Sequence, residues 1–249
     1  MQSIYYQDIK ISFSRICPDL KHDGKESTRT KQRHHLDPPG LTVVALINNG
    51  HDEPFKKAIE KVETSSGKRF CSTSFLHFTL LGLFNDKRKR PDSSDEEDEI
   101  NKSAKVFIEQ RHFGQLTIKF NLVRPGAFYK DGSPCDMDSD GTLIAIADRE
   151  SQEVNKFNSL GDDLACHLRK TFPIFCNNNK LKREHPTAWC TLGYFDEPDF
   201  DIDERLASIL KELKSFNASV TVSQLEVRSY KLRSLEISDP KTTINLEQL

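Results

Sequence analysis

From Leu41 the chain runs LTVVALI, an uninterrupted apolar stretch of strand length. It predicts a buried β-strand. The next stretch, HDEPFKKAIEKVETSS, changes period and brings Phe55, Ile59 and Val62 to one side at helical spacing. Asp52 is placed as an N-cap and Pro54 falls in the first turn, so a helix is predicted there. FLHFTLLGLF reads as a strand, and QLTIKFNLV alternates cleanly through Leu116, Ile118, Phe120 and Leu122. TLIAIA, from Thr142, is a further short apolar strand. SQEVNKFNSLGDDLACHLRKTF carries Val154, Phe157, Leu160, Leu164 and Leu168 along one stripe, which predicts a long amphipathic helix. AWCTLGYF predicts another strand, and DERLASILKELKSF a second amphipathic helix on Leu206, Ile209, Leu210 and Leu213. ASVTVSQLEVRSYKLRSLEI ends the pattern as one long strand or two short ones.

Polar tracts punctuate this order. Residues 1–38 are expected to form an N-terminal leader, partly mobile, with a weak alternation (Ile4, Tyr6, Ile9, Ile11, Phe13) that would suit an edge strand. Directly after HFTLLGLF comes NDKRKRPDSSDEEDEINK, basic and then acidic, read as a charged loop insertion over about 85–101. A C-terminal tail is expected over 241–249. Between the tracts the element order repeats loosely. This suggests two α/β lobes of similar design within one domain, 39–240, each presenting one motif strand to a shared cleft.

Composition narrows the class. The chain has 249 residues, 36% of them hydrophobic, and a formal net charge of −2, so it lacks a global electrostatic pull towards nucleic acid or membrane. Any nucleic-acid binding has to come from a local groove. Six scattered cysteines without a C-x-x-C pair are expected to be core thiols rather than a disulfide framework or zinc site. No apolar run has the length of a signal peptide or a membrane span, so the expectation is a soluble intracellular protein. The acidic turn Asp136–Gly141 lacks the distal glutamate of a calcium loop.

The candidate chemistry sits on two strands. In HFTLLGLF, His77 and Thr79 are two positions apart and so share one face of a strand. An imidazole moves a proton near neutral pH, and a hydroxyl can donate to a non-bridging phosphate oxygen. HPTAWCTLGYF holds a second such triplet, His185 and Thr187, and ends in Thr191 and the residues after it. Two imidazoles flanking one phosphorus could serve as general base and general acid, with no metal required.

These residues, FLHFTLLGLF and TAWCTLGYF in two α/β lobes with this element order, resemble the 2H phosphoesterase superfamily. The closest group is the LigT-like RNA 2′,3′-cyclic phosphodiesterases, also called 2′-5′ RNA ligase-like proteins. The resemblance spans roughly residues 40–237. It implies an α+β fold of two related α/β lobes, with antiparallel sheets around a central cleft. It implies hydrolysis of 2′,3′-cyclic phosphate or 2′-5′ phosphodiester bonds without cofactor or metal. Its partner would be RNA or a nucleotide with a terminal cyclic phosphate, bound by a monomer in the cytoplasm or nucleus, away from membranes. His77 and Thr79 match the first family motif, and Thr191 the end of the second.

The second motif departs from the family, because Trp189 stands where its histidine is expected and His185 lies four residues earlier. Three readings stay open. Trp189 is a core aromatic and the site is dead; or Trp189 stacks on a base or ribose while His77 and Thr191 hold phosphate; or His185 reaches in and restores the pair. Phe128 and Tyr129 in RPGAFYKDG are candidates to stack on a nucleobase, with Arg124 or Lys130 near the phosphate. The alternative to an enzyme is a catalytically degenerate RNA- or nucleotide-binding module using the same cleft.

Overall fold

The computed structural model describes residues 40–247, apart from 49, 69, 74, 86–87, 89, 126–141, 177–180, 184–186, 196–202, 232–234 and 236–237. The expected leader, Phe128, Tyr129, Lys130, the acidic turn at 136–141 and His185 lie outside the described residues.

The order of elements is β1 (Gly40–Leu46), α1 (Glu53–Ser65), β2 (Phe70–Ser72), β3 (His77–Phe84), α2 (Ser94–Glu109), β4 (Leu116–Pro125) and β5 (Thr142–Ala147). There follow α3 (Gln152–Thr171), β6 (Trp189–Phe195), α4 (Glu204–Glu212), β7 (Ala218–Val222), β8 (Gln224–Tyr230) and β9 (Ser238–Asn245). The strands form one sheet in the order β7-β4-β5-β6-β3-β1-β8-β9, with β2 pairing the far end of β6. Every pairing is antiparallel. The fold class expected from the sequence, α+β with two antiparallel lobes, is the one observed. One lobe is β3-β1-β8-β9 and the other is β6-β5-β4-β7.

The helices bury their apolar stripes on one face of this sheet. Helix α1 follows β1 of the first lobe but packs under the second: the Phe55 ring meets Phe120 of β4 at 5.2 Å and Phe216 at 5.4 Å, both edge-on. Helix α3 follows β5 of the second lobe but packs under the first, with Phe157 against Phe78 at 5.1 Å. Gly161 of α3 makes this contact possible, because a Cβ there would stand 2.8 Å from the Leu80 carbonyl oxygen. One continuous apolar core thus runs through both lobes.

Two sequence expectations are corrected. The charged loop over 85–101 is helical from Ser94, where α2 begins. Ser93 caps it by accepting from the Asp95 N–H, and Asp95, Glu96 and Glu97 occupy the first turn, where carboxylates complement the helix dipole. Ile100, Ala104 and Ile108, four apart, are buried. Arg90 clamps Glu97 in an ion pair and donates to the Ser229 Oγ at 3.1 Å, which ties the start of α2 to β8. The expected tail over 241–249 is instead mostly strand β9, paired along β8. Asp52 stands at the N-cap of α1 as expected, though its side chain makes no cap hydrogen bond and pairs instead with Lys56 one turn on. The final strand pattern resolves as two strands, β7 and β8, rather than one.

Candidate functional site

The two motif strands meet at the centre of the molecule. β3 and β6 join through one pairing, Phe78 opposite Cys190, and both residues are fully buried on the helix side. Continuing that register by one residue sets His77 opposite Thr191 and Thr79 opposite Trp189. Alternation along a strand turns all four away from the helices, and all four are partly exposed. Directly opposed residues are about 4.5–5.5 Å apart between Cα atoms, so four chemistry-bearing side chains crowd one small patch.

The two strands are built alike beyond the motif letters. Each has the same burial pattern over seven positions from its first residue. Each carries a β-bulge one residue after its threonine. Leu80 is left out between the pairings Val44↔Thr79 and Val43↔Leu81, and Leu192 between Ile144↔Thr191 and Leu143↔Gly193. Ala45 opposes Phe78 just as Ala145 opposes Cys190. A pseudo-two-fold at the Phe78–Cys190 pair therefore carries His77 onto Trp189 and Thr79 onto Thr191. The tryptophan occupies the position equivalent to the histidine. Bulges bend a strand and re-aim its side chains, and here one follows each of the two threonines.

Around the patch the sheet is lined by β1 and β5. Leu46 and Val44 flank His77 and Thr79, and Ile144 and Ile146, each 2% exposed, flank Thr191 and Trp189. One strand further out lie Arg124 on β4, opposite Ile144, and Glu226 on β8, opposite Val44.

His77 is held in one chemical state. Its Nδ1–H donates to the Phe75 carbonyl oxygen at 2.9 Å. A carbonyl only accepts, so in the neutral ring Nδ1 carries the proton and Nε2 keeps its lone pair. Burial of the ring, assisted by the positive charge of Arg228, pushes its pKa down to about 4, against the opposing pull of the Phe75 carbonyl. Near neutral pH the residue is an uncharged base. Cys190, on the opposite face, is pushed up to about 12 by burial, so its thiol stays protonated and is no nucleophile.

The structure brings together His77, Thr79, Thr191 and Trp189. Thr187, the end of the His185 triplet, is 2% exposed and turned from solvent, with its hydroxyl lacking a hydrogen-bond partner among the described residues. Sequence reasoning missed Phe75 and Arg228. Phe75 was recoverable, because it lies only two residues before His77, just ahead of β3. Arg228 comes from the far end of the chain, and no local spacing connects it with His77. Among the described residues no group of three or more His, Cys, Asp or Glu side chains could hold a metal ion, and no helix is long and apolar enough to cross a membrane.

No family model matches the chain, and no curated protein matches it. Solved structures do. Escherichia coli LigT complexed with NADP+ is 13% identical, with a TM-score of 0.50 over 84% of this chain and 99% of that one. LigT in its apo form is 12% identical, with a TM-score of 0.50 over the same shares. TT0787 of Thermus thermophilus is 14% identical, with a TM-score of 0.51 over 83% of this chain and 97% of that one. At these identities the likeness concerns the path of the chain, and it extends over nearly the whole of each neighbour. With its paired lobes and central motif strands, this chain has a LigT-like fold.

Proposed function

We propose that the protein is a phosphoesterase of the 2H type, acting on 2′,3′-cyclic phosphate or 2′-5′ phosphodiester bonds of RNA or nucleotides and slowed by the loss of its second histidine. The observation that carries this reading is the pseudo-symmetric meeting of His77, Thr79, Trp189 and Thr191 on one face of the two central strands. In the proposed reaction His77 Nε2 takes a proton from the attacking water as the new P–O bond forms. The Thr79 and Thr191 hydroxyls donate to the non-bridging oxygens, and Trp189 stacks on the ribose or base. The ribose oxygen that leaves as the old P–O bond breaks takes its proton from solvent, because an indole has none to give near neutral pH. A nucleotide ligand agrees with the fold, since LigT has been crystallised with NADP+. We place the protein as a metal-independent, intracellular monomer, in the cytoplasm or nucleus.

A second reading, a nucleotide- or RNA-binding module without turnover, is favoured specifically by Trp189 at the histidine-equivalent position. One set of variants separates the two. Wild type should hydrolyse a 2′,3′-cyclic nucleotide slowly, with a rate that lacks a descending limb at alkaline pH. Trp189→His should raise the rate by about two to four orders of magnitude, the usual worth of one general acid, and bring in that limb. His185→Ala should leave wild-type turnover unchanged. A fast wild type abolished by His185→Ala would instead make His185 the acid. Failure of both wild type and Trp189→His to turn over, with RNA binding that falls on Trp189→Ala, would establish the binding module.

A further inference from the structure

Arg228 of β8 is 8% exposed, and each of its three nitrogens donates to protein. Its Nε donates to Ser238 Oγ at 3.0 Å, one terminal nitrogen to the Ser238 carbonyl at 3.2 Å, and the other to the Glu226 carboxylate in an ion pair. With every nitrogen already donating to protein, it is held in place as part of the fold. Its flat guanidinium instead lies over the Phe75 ring, 4.7 Å from the centroid. The Phe75 ring in turn lies 6.0 Å from the His77 ring, and the Phe75 carbonyl accepts the His77 Nδ1–H. The three side chains make a stack that begins at a pinned cation and ends at the imidazole.

We propose that Arg228 is a positioning residue for His77, holding Phe75 in place as a clamp so that the imidazole keeps Nδ1 protonated and Nε2 free as a base. This rests on the functional reading above for its use, though not for its existence. A cation stacked on an aromatic face is attracted by the ring quadrupole, and the fixed fork of the guanidinium orients that face. The charge also opposes a second positive charge on His77, which keeps the ring neutral. The charged groups that bear on His77 among the described residues are few. Arg228 and Glu226 come from β8, whereas β1 offers Val44 and Leu46, β5 offers Ile144 and Ile146, and β6 offers Thr191, with the protonated Cys190 thiol behind it.

The test is a titration of the full chain labelled with 15N-histidine, reading both protonation and tautomer of His77; its signals are identified among the eight histidines by their loss in His77→Gln. Wild type should show the Nδ1–H tautomer at neutral pH and protonate only near pH 4. Arg228→Met combined with Glu226→Gln, which removes the cation without leaving its carboxylate unpaired, should raise the pH at which His77 protonates, while burial still holds it below the ordinary imidazole range, and should populate the Nε2–H tautomer. Arg228→Lys keeps the charge but loses the flat fork, and should mix the tautomers with a smaller upward shift. If the double variant folds, as judged by amide dispersion, and its His77 keeps the wild-type tautomer and titration, the proposal is wrong. If the double variant does not fold, Phe75→Leu, which removes the stacked ring but keeps the carbonyl, decides it by the same tautomer readout. The measurement uses no substrate, so a chain without hydrolytic activity but with the expected His77 titration would overturn the phosphoesterase reading and leave the Arg228 coupling standing.

Discussion

At the scale of single residues, the state of His77 has consequences for stability as well as for chemistry. Its pKa is about 4 in the folded chain against an ordinary value of 6.5. Between those values the unfolded chain binds a proton that the folded chain refuses, so stability rises with pH through this window. The contribution is complete above pH 6.5 and is lost as pH falls towards 4. At 1.36 kcal/mol per unit it is on the order of 3 kcal/mol. Urea unfolding of wild type should therefore weaken from pH 7 to pH 4.5 by more than that of His77→Gln. Equal losses in the two proteins would mean that His77 is not held neutral by the fold. The same depressed value leaves His77 without an imidazolium proton near neutral pH, so the missing acid cannot be supplied by this residue changing roles within one free-enzyme site.

At the scale of elements, the bulges at Leu80 and Leu192 are what turn two ordinary strands into a site. Each breaks the alternation immediately after a motif threonine. The first is pressed from below by α3, where Gly161 lets the helix backbone approach the Leu80 carbonyl. Glycine in mid-helix ordinarily costs about 1 kcal/mol relative to alanine, so on propensity alone Gly161→Ala would stabilise. The contact reverses the sign. A methyl group 2.8 Å from a backbone oxygen has to push α3 away from β3, and overpacking of this kind costs about 1–3 kcal/mol. Chemical denaturation of Gly161→Ala should show a net loss of about 1 kcal/mol; a gain would show that helix and bulge do not bear on each other. The charged run before α2 carries a related lesson. A boundary placed at 101 cuts Ile100 away from Ala104 and Ile108, so the stripe that makes this segment a packed helix was divided between a loop and its surroundings.

At the scale of the whole molecule, the lobes are interleaved rather than sequential. The first is built from β1, β3, β8 and β9, the second from β4 to β7, and each packs on a helix that follows a strand of the other. The shared core gives neither lobe an independent reason to persist alone. Thermal unfolding followed by far-ultraviolet circular dichroism and by the fluorescence of Trp189, the one tryptophan, should trace a single coincident transition. Two separated transitions would show that the lobes fold as units. The sequence by itself determined seven of the nine strands and three of the four helices found among the described residues, the two motif strands among them, because periodicity is a local property that hydrophobic burial imposes on each segment. It also put Trp189 two residues before Thr191, though without deciding where that side chain stands. Only the tertiary structure set Phe78 opposite Cys190, and with that one pairing placed His77 beside Thr191 and the indole at the histidine-equivalent position. Only it brought Arg228 over Phe75. Strand register and contacts between distant segments are settled by which faces bury together and by which bulges the helices press into the sheet, and no window of local sequence contains that information.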